Sequence, residues 1–467
     1  MYTLKELEEF SNGKIINGDE NTEIDFFSTS RKRHIKGEFY IPFTFKNINR
    51  EIFIINSVRA GGKGFMINKD SENYDTIIEE AKTINPNICI LEVENSKDVL
   101  HRLGQKAREK NIDKPVVAVT GSVGKTTLCC LIASILKKQY KVLHDEENEN
   151  NNTYSFISTD LLNAKEYDIA VLELGTATPG SMTQLSELVK PSIAIINSIG
   201  TAHLNKFFTK ESILEEKLHI TDYLKDDKIL FINSDNELLS KVKDNNNYKT
   251  IRYSKNEASN IKEDEYGISF DIDIYDKKTH FDLNLYGTHN ISNIVLAIKI
   301  VQHYKIEYDN IVLAIREFRA INGRFKVLEN EEKDIKIIDD AYSSSLESVK
   351  EGLITANKIK SNRKIAVLGK MAALGEQSSK LHEEIGEFFK EVNFDYIYMT
   401  GEYTKHLFKG ALKAFEEKNI KRFKTRELLI EDLKNNIKSG DLIYIKAAQT
   451  QNFESIVEEL KKKYELK

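Results

Sequence analysis

The chain of 467 residues contains no tryptophan, only three cysteines and five prolines, and no apolar run long enough to cross a bilayer. Each shortage excludes something. Cys129 and Cys130 are neighbours in a stretch that reads as helix and Cys89 lies in an apolar run, so neither a disulfide framework nor a zinc cluster is available, and all three read as buried thiols. A spanning helix needs ~20 consecutive apolar residues, so no membrane insertion is expected. The opening MYTLKELEEF lacks a basic region followed by an apolar core. No secretory leader is therefore expected, and the cytoplasm is the expected compartment. Charge of one sign is also missing: 68 basic residues against 73 acidic ones leave −5. With no basic block, nucleic acid is not an expected partner, and an anionic ligand would need a local site.

What is present is enough sequence for about three domains at ~150 residues each. Up to about Lys110 short helical and strand patterns alternate, broken by the turn signals SNGK and RAGGKG. The polar EKNIDKP, Glu109 to Pro115, marks a boundary. The apolar runs VVAVT, IAVLEL, IAIINS and ILFIN then recur with room for helices between them, the signature of a parallel sheet. GISFDIDIYD and HFDLNLYG, between Gly267 and Gly287, read as an edge β-ribbon. After NGRFKVLEN a second series, IKIIDD, KIAVLG, YIYMTG and DLIYIKAA, predicts another doubly wound α/β unit. The polar run DEENENNN, Asp145 to Asn152, could be disordered, but its place after the first helix of the middle unit also suits a functional loop.

The stretch VVAVTGSVGKTTLCC, Val116 to Cys130, carries the most chemistry. A strand delivers the chain to Gly121 and Gly124, and KTTLCCLIASILKK continues as a helix. The common phosphate loop would place its first glycine at Val119, so this one is clipped. Two glycines still let backbone N–H groups approach a phosphate, and the first helical turn supplies unpaired donors at the positive end of the dipole. Lys125 could reach the β- and γ-phosphates, and the Thr126 hydroxyl could hold Mg²⁺. A tight turn with an exposed lysine is the plain alternative.

The clipped loop, Thr120-Gly121-Ser122-x-Gly124-Lys125-Thr126-Thr127, resembles that of the Mur ligase family of ATP-dependent amide-forming enzymes. Five further blocks in order are similar to that family: VLELGTATPGSM, NSIGTAHLNKFFTKESILEEKLHI, YGTHNISNIVLAI, NGRFKVLE, and the pair IIDDAYSSSLESV with VLGKMAALGEQSSKLHEEIG. The last pair is most like the branch that adds D-alanyl-D-alanine to a UDP-N-acetylmuramoyl-tripeptide in peptidoglycan precursor synthesis. The resemblance implies an α/β fold in three parts. These are a small N-terminal α/β domain (1–113), a central phosphate-loop parallel-sheet ATPase domain (114–321) and a C-terminal Rossmann-like domain (322–467).

It also implies site residues. Gly121, Ser122, Gly124, Lys125, Thr126 and Thr127 would bind ATP; Thr126, Glu173, His203 and Lys217 would surround two Mg²⁺ ions, with Lys217 carrying a carbamate. Asn293 would read adenine, with His289 and Asn290 holding the turn before its helix, and Asp340 would contact the ribose. Arg324 would reach back to the terminal phosphates. Ser30 and Arg31 would hold a uridine nucleotide. Lys125, Lys217, His203 and Arg324 are the implied catalytic set. Read without the resemblance, Glu173 is a strand-end acid, His203 a satisfied loop histidine, Lys217 a solvated helix lysine, Asn290 a helix N-cap and Arg324 a linker arginine beside Gly323.

The implied chemistry is phosphoryl transfer from ATP to a carboxylate, giving an acyl phosphate that an amine attacks. Such chemistry needs concentrated positive charge more than a protein nucleophile, which agrees with the absence of a catalytic serine or cysteine motif. Closure of the C-terminal domain about Asn322-Gly323 would exclude water. The substrates would be small molecules, a UDP-linked peptide or other carboxylate and a dipeptide or other amine, handled by a monomer.

Several blocks depart from the family pattern. An Asp-Ser-Arg is Thr29-Ser30-Arg31, followed by the expected glycine, Gly37; an Asp-Gly-His is Asn49-Arg50-Glu51; an Asn-x-Asn-Pro is Ser343-Ser344-Ser345-Leu346. The aspartate of Leu-Gly-Asp is Lys370, and Lys-Gly-Ser-Arg is Lys446-Ala447-Ala448-Gln449. These changes leave a paralogue that joins other partners, and a non-catalytic nucleotide-binding scaffold, as alternatives.

Overall fold

The computed structural model describes residues 1–31, 33–45, 47–145, 152–176 and 178–466. Most of the polar run Asp145 to Asn152 therefore lies outside the described residues, which include its two end residues. Among the described residues the strands build three principal sheets.

The first has five strands in the order Lys14–Asn17, Cys89–Val93, Gly64–Asn68, Phe39–Tyr40 and Phe27–Ser28, parallel except for the first pair. Alternation along a strand separates its two faces: Met66 joins one apolar cluster while Phe65 and Ile67 join the other. Helix Ser96–Lys110 leaves this sheet and packs on helix Tyr154–Asn163. Gly104 permits the approach, since a Cβ there would lie 2.5 Å from Ser158 Cβ. One turn earlier His101 Nε2 lies 2.8 Å from Ser155 Oγ, with its ring against Tyr154. Arg108, fully buried near the helix end, donates to the carbonyls of Val189, Asn111 and Lys114 and so ties down the connector.

The second sheet is parallel throughout, in the order Val142–Leu143, Ile169–Glu173, Val116–Thr120, Ile193–Ile196, Ile229–Asn233 and Lys249–Tyr253. Its inner strands are apolar on both faces because helices cover both, as parallel sheets require. Ligands of such sheets collect beyond the carboxyl ends of the strands, and Thr120 and Glu173 end neighbouring strands there. The ribbon expected between Gly267 and Gly287 is part of a three-stranded antiparallel sheet, Ser259–Asp264, Gly267–Ile274 and Lys277–Leu283. Its first strand, SNIKED, buries no residue fully, so it carried no apolar alternation to announce it.

The third sheet runs Lys326–Asn330, Ile335–Asp339, Asp441–Lys446, Arg363–Leu368, Tyr396–Thr400 and Ile420–Phe423. Only its first pair is antiparallel. Leu204 and Phe207 from the middle unit share one apolar cluster with Met371 and Leu374 from the last. The rings of Tyr286, Phe325 and Tyr444 follow one another across the same junction.

One cysteine differs from expectation. Cys89 and Cys129 are buried, but Cys130 is half-buried, its Sγ 3.4 Å from His144 Nε2. Successive residues on a helix point about 100° apart, so only one of the adjacent pair can face the sheet. Among the described residues no helix is long and apolar enough to cross a membrane.

Candidate active site

Strand Val116–Thr120 turns through Gly121 to Gly124 into helix Lys125–Leu136. Gly124 caps that helix at φ +80°, where side chains are strained, and a Cβ on it would come within 2.6 Å of Asn197 Nδ2. The loop is braced from the neighbouring strand. Ser122 N–H donates to Ser198 O (2.8 Å), Val123 N–H to Ser198 Oγ (2.9 Å), and Gly200 N–H to Ser122 Oγ (2.9 Å). This bracing leaves the first-turn amides of the helix, which have no intrahelical acceptor, at the end of the sheet where an anion would sit.

Glu173 ends the adjacent strand. Its Oε2 accepts from the Thr126 hydroxyl at 2.7 Å, its Oε1 from Asn152 Nδ2 at 2.8 Å, and Lys125 Nζ lies 3.7 Å away. Burial pushes this carboxyl upward, but Lys125, the hydrogen bonds from Thr126 and Asn152, and Arg324 outweigh it and hold it below the usual carboxylate range. Glu173 is therefore an anion at neutral pH.

Lys217 belongs to helix Lys210–Leu218 and is buried, 2% exposed, which excludes the reading of a solvated helix lysine. The preceding residue explains its aim. Glu216 accepts from the backbone of Gly180 and Met182, both at 2.8 Å, at the start of helix Ser181–Val189. With Glu216 so anchored, Lys217 turns to the central strand and Nζ donates to Thr120 Oγ1 at 3.3 Å. Burial and then the nearby Lys125 charge lower its pKa from 10.5 to about 7. A lysine in that range holds a large neutral, nucleophilic fraction at physiological pH.

Arg324 comes from the C-terminal unit and crosses to the loop. Its guanidinium lies over the Tyr342 ring, 4.3 Å from the centroid, and donates to Ser343 Oγ (2.7 Å) and Thr126 Oγ1 (3.1 Å). His203, at φ +67° at the start of helix Leu204–Phe207, faces the same space. Gly121, Ser122, Gly124, Lys125, Thr126, Glu173, His203, Lys217 and Arg324 all line one cavity of 570 Å³, and Ser30 and Arg31 border it from the first unit.

Thr127, Asn293 and Asp340 do not line it. Thr127 follows Thr126 in the helix. Asn293 is buried in helix His289–His303, with Nδ2 3.3 Å from Asn290 Oδ1. Asn290 is not the N-cap of that helix, a position held by Thr288; it reaches back to Tyr286 O at 2.7 Å. Asp340 accepts from Tyr444 OH (2.9 Å) and pairs with buried Lys446 (2.7 Å), so this structure gives its carboxylate to an internal ion pair rather than to the cavity wall. Two buried opposite charges hold one another strongly because separating them leaves an uncompensated charge.

Sequence reasoning missed Asn152, Ser198, Glu216 and Tyr342. Asn152 closes the polar run read as a possible functional loop, which was a partial signal. Glu216 and Ser198 are defined by partners 34 and 75 residues away and Tyr342 by the Arg324 guanidinium over its ring, and local sequence has no mark for such contacts.

A strand ending in a glycine turn, a helix opening Lys-Thr-Thr and a carboxylate on the next strand together define a phosphate-loop α/β protein with a nucleotide-type site at the sheet's carboxyl edge. Residues 119–301 match the Mur ligase middle domain, and residues 323–449 match the Mur ligase glutamate ligase domain. The chain belongs to the Mur ligase family. It is 27% identical to the UDP-N-acetylmuramoyl-tripeptide--D-alanyl-D-alanine ligase of Bacillus subtilis, covering 98% of both chains. To the enzyme of that name from Buchnera aphidicola of Acyrthosiphon pisum it is 29% identical, covering 98% of this chain and 97% of the other. Among solved structures, MurF of Acinetobacter baumannii superposes with a TM-score of 0.79 at 20% identity and 99% coverage of both chains. MurF ligase of Thermotoga maritima in complex with ADP gives 0.74 at 25% identity, over 95% of this chain and 98% of that one. The α/β fold of the family in three parts is thus the fold of this chain.

Proposed function

We propose that the chain is an ATP-dependent, ADP-forming amide ligase that joins D-alanyl-D-alanine to a UDP-N-acetylmuramoyl-tripeptide, the reaction for which its relatives are named. The domains would divide at 1–113, 114–321 and 322–467, and the enzyme would act in the cytoplasm as a monomer. The observation that carries the reading is the meeting of Thr126, Glu173, Lys217 and Arg324 in one cavity.

Lys125 and the first-turn amides would bind the β- and γ-phosphates, and Arg324 would stabilise charge on the transferring group. Transfer of the γ-phosphoryl group to the substrate carboxylate breaks its bond to ADP and forms an acyl phosphate. The amine then attacks the acyl carbon, phosphate leaves, and the amine proton is lost. Glu173 and the Thr126 hydroxyl are hard oxygen donors already 2.7 Å apart, which fits a Mg²⁺ site completed by phosphate oxygens and water. When bound, Mg²⁺ would neutralise phosphate charge. The lowered pKa of Lys217 supports a carbamate: the neutral amine attacks CO₂, an N–C bond forms and a proton is released, converting a cationic group into an anionic oxygen donor able to serve a second ion. His203 would complete this set. Ser30 and Arg31 would hold the uridine nucleotide, and Asn293 the adenine.

The test is ADP release in the presence of UDP-MurNAc-tripeptides or dipeptides, with and without D-alanyl-D-alanine. Turnover that requires both a tripeptide and D-alanyl-D-alanine supports the reading. The uncharged wall formed by Ser343, Ser344, Ala448 and Gln449 favours a second reading, a paralogue taking another amine. Turnover with a different carboxylate and amine would establish it. Nucleotide binding with no turnover on any carboxylate and amine would leave the non-catalytic nucleotide-binding scaffold.

A further inference from the structure

Outside the phosphate loop, one carboxylate joins the C-terminal unit to the loop that braces the site. Glu347 lies in the first turn of helix Leu346–Lys358. Its Oε2 accepts from both the backbone N–H of Thr201, at 3.0 Å, and the Thr201 hydroxyl, at 2.8 Å. Lys210 Nζ stands 2.9 Å from Oε1. The Thr201 hydroxyl is also approached from Leu346 N at 3.3 Å. Gly200 leaves room for this approach, since a Cβ there would come within 2.8 Å of the Glu347 carboxyl group and the side chain would have to shift.

Residues 197–203 are the same segment that supplies Ser198 to the phosphate loop, Gly200 N–H to Ser122, and His203 to the cavity. Glu347 does not line the cavity, and its hydrogen bonds and ion pair go to Thr201 and Lys210. Its two bonds to Thr201 fall between Gly200 and His203, so the C-terminal unit holds the bracing segment at a point between its contact with the loop and its contribution to the cavity. Burial pushes the Glu347 carboxyl upward, but the hydrogen bonds from Lys210 and Thr201 outweigh it and hold its pKa below the usual carboxylate value, so it is ionised, and a charged acceptor makes the stronger hydrogen bond.

We infer that Glu347 is a positioning residue whose bonds to Thr201 fix residues 197–203 against the phosphate loop, so that closure of the C-terminal unit and assembly of the loop are a single event. The inference rests on the ligase reading for its effect on turnover, but its structural core does not depend on it. Hydrogen–deuterium exchange on the full chain without nucleotide tests that core. In Glu347→Ala the amides of 198–203 exchange faster by about tenfold or more, and the acceleration spreads to 122–124, while strand Cys89–Val93 keeps its wild-type rate. Unchanged exchange at 198–203, or acceleration there that never reaches 122–124, would overturn the inference.

The kinetic arm then separates positioning from plain stability. Glu347→Ala lowers kcat at saturating substrates by about tenfold or more, with KM for ATP within about twofold and little change in Tm. Glu347→Gln, which keeps an acceptor oxygen for Thr201, restores most of kcat. A kcat loss that follows only the fraction of unfolded protein, or no rescue by Gln, contradicts the inference. If the wild type itself shows no turnover, the ligase reading fails while the exchange result still decides the role of Glu347.

Discussion

Thr126 Oγ1 and Glu173 Oε2 lie 2.7 Å apart although 47 residues separate them in the chain. The contact exists because their strands are neighbours in register, with Val119 opposite Glu173, so the hydroxyl opening the helix meets the carboxylate ending the next strand. Glu173→Gln keeps the shape and removes the charge. ADP release should fall by about a hundredfold or more, with Tm little changed, because the lost charge would hold Mg²⁺ rather than contribute to packing. An active Gln variant would show that the carboxylate charge is not used.

Lys217→Ala should abolish turnover, and added short carboxylic acids should restore part of it by replacing the missing oxygen donor. Incubation of the wild type with ¹³C-labelled CO₂ should give a carbamate carbon resonance that the variant lacks. Full activity of Lys217→Ala would remove the carbamate from the scheme.

Arg324 uses a planar fork to reach Ser343 and Thr126 at once, with its face on Tyr342. A lysine keeps the charge but has neither the fork nor the flat face. Arg324→Lys should therefore lose about tenfold or more in kcat while nucleotide affinity changes much less. Equal losses in both would place Arg324 in ground-state binding instead.

His101 supplies a pH dependence of stability. Burial between helices Ser96–Lys110 and Tyr154–Asn163, and then Lys97, lower its pKa from 6.5 to about 4. The folded state binds fewer protons than the unfolded chain between those values, so stability rises with pH across the window. The contribution is fully present above the unfolded value of 6.5 and is lost as pH falls towards 4. Urea midpoints measured across this range should fall more steeply with acid for the wild type than for His101→Phe. Parallel curves would refute the assignment.

Much of the site could be read from the chain because its parts are local. The clipped glycine turn, the helix that follows and the strand-end position of Glu173 all lie within short windows whose periodicity reports them. The first strand of the antiparallel sheet, Ser259–Asp264, escaped because an exposed edge strand has no buried face to impose alternation. The family resemblance places Asp340 on the ribose. The structure pairs it with Lys446, 106 residues away, and no local pattern reports such a distance.

The amino-acid order alone determined where strand becomes helix and which hydroxyls, amines and carboxylates are available, since those follow from backbone freedom and residue chemistry at each position. Tertiary structure alone decided their states: that Lys217 sits out of water with a lowered pKa, that Glu173 stays ionised, and that Glu347 reaches Thr201 across a domain boundary. The reason is physical. Protonation and hydrogen bonding depend on desolvation and on the charges nearby, and both are set by whichever distant segments fold against a group.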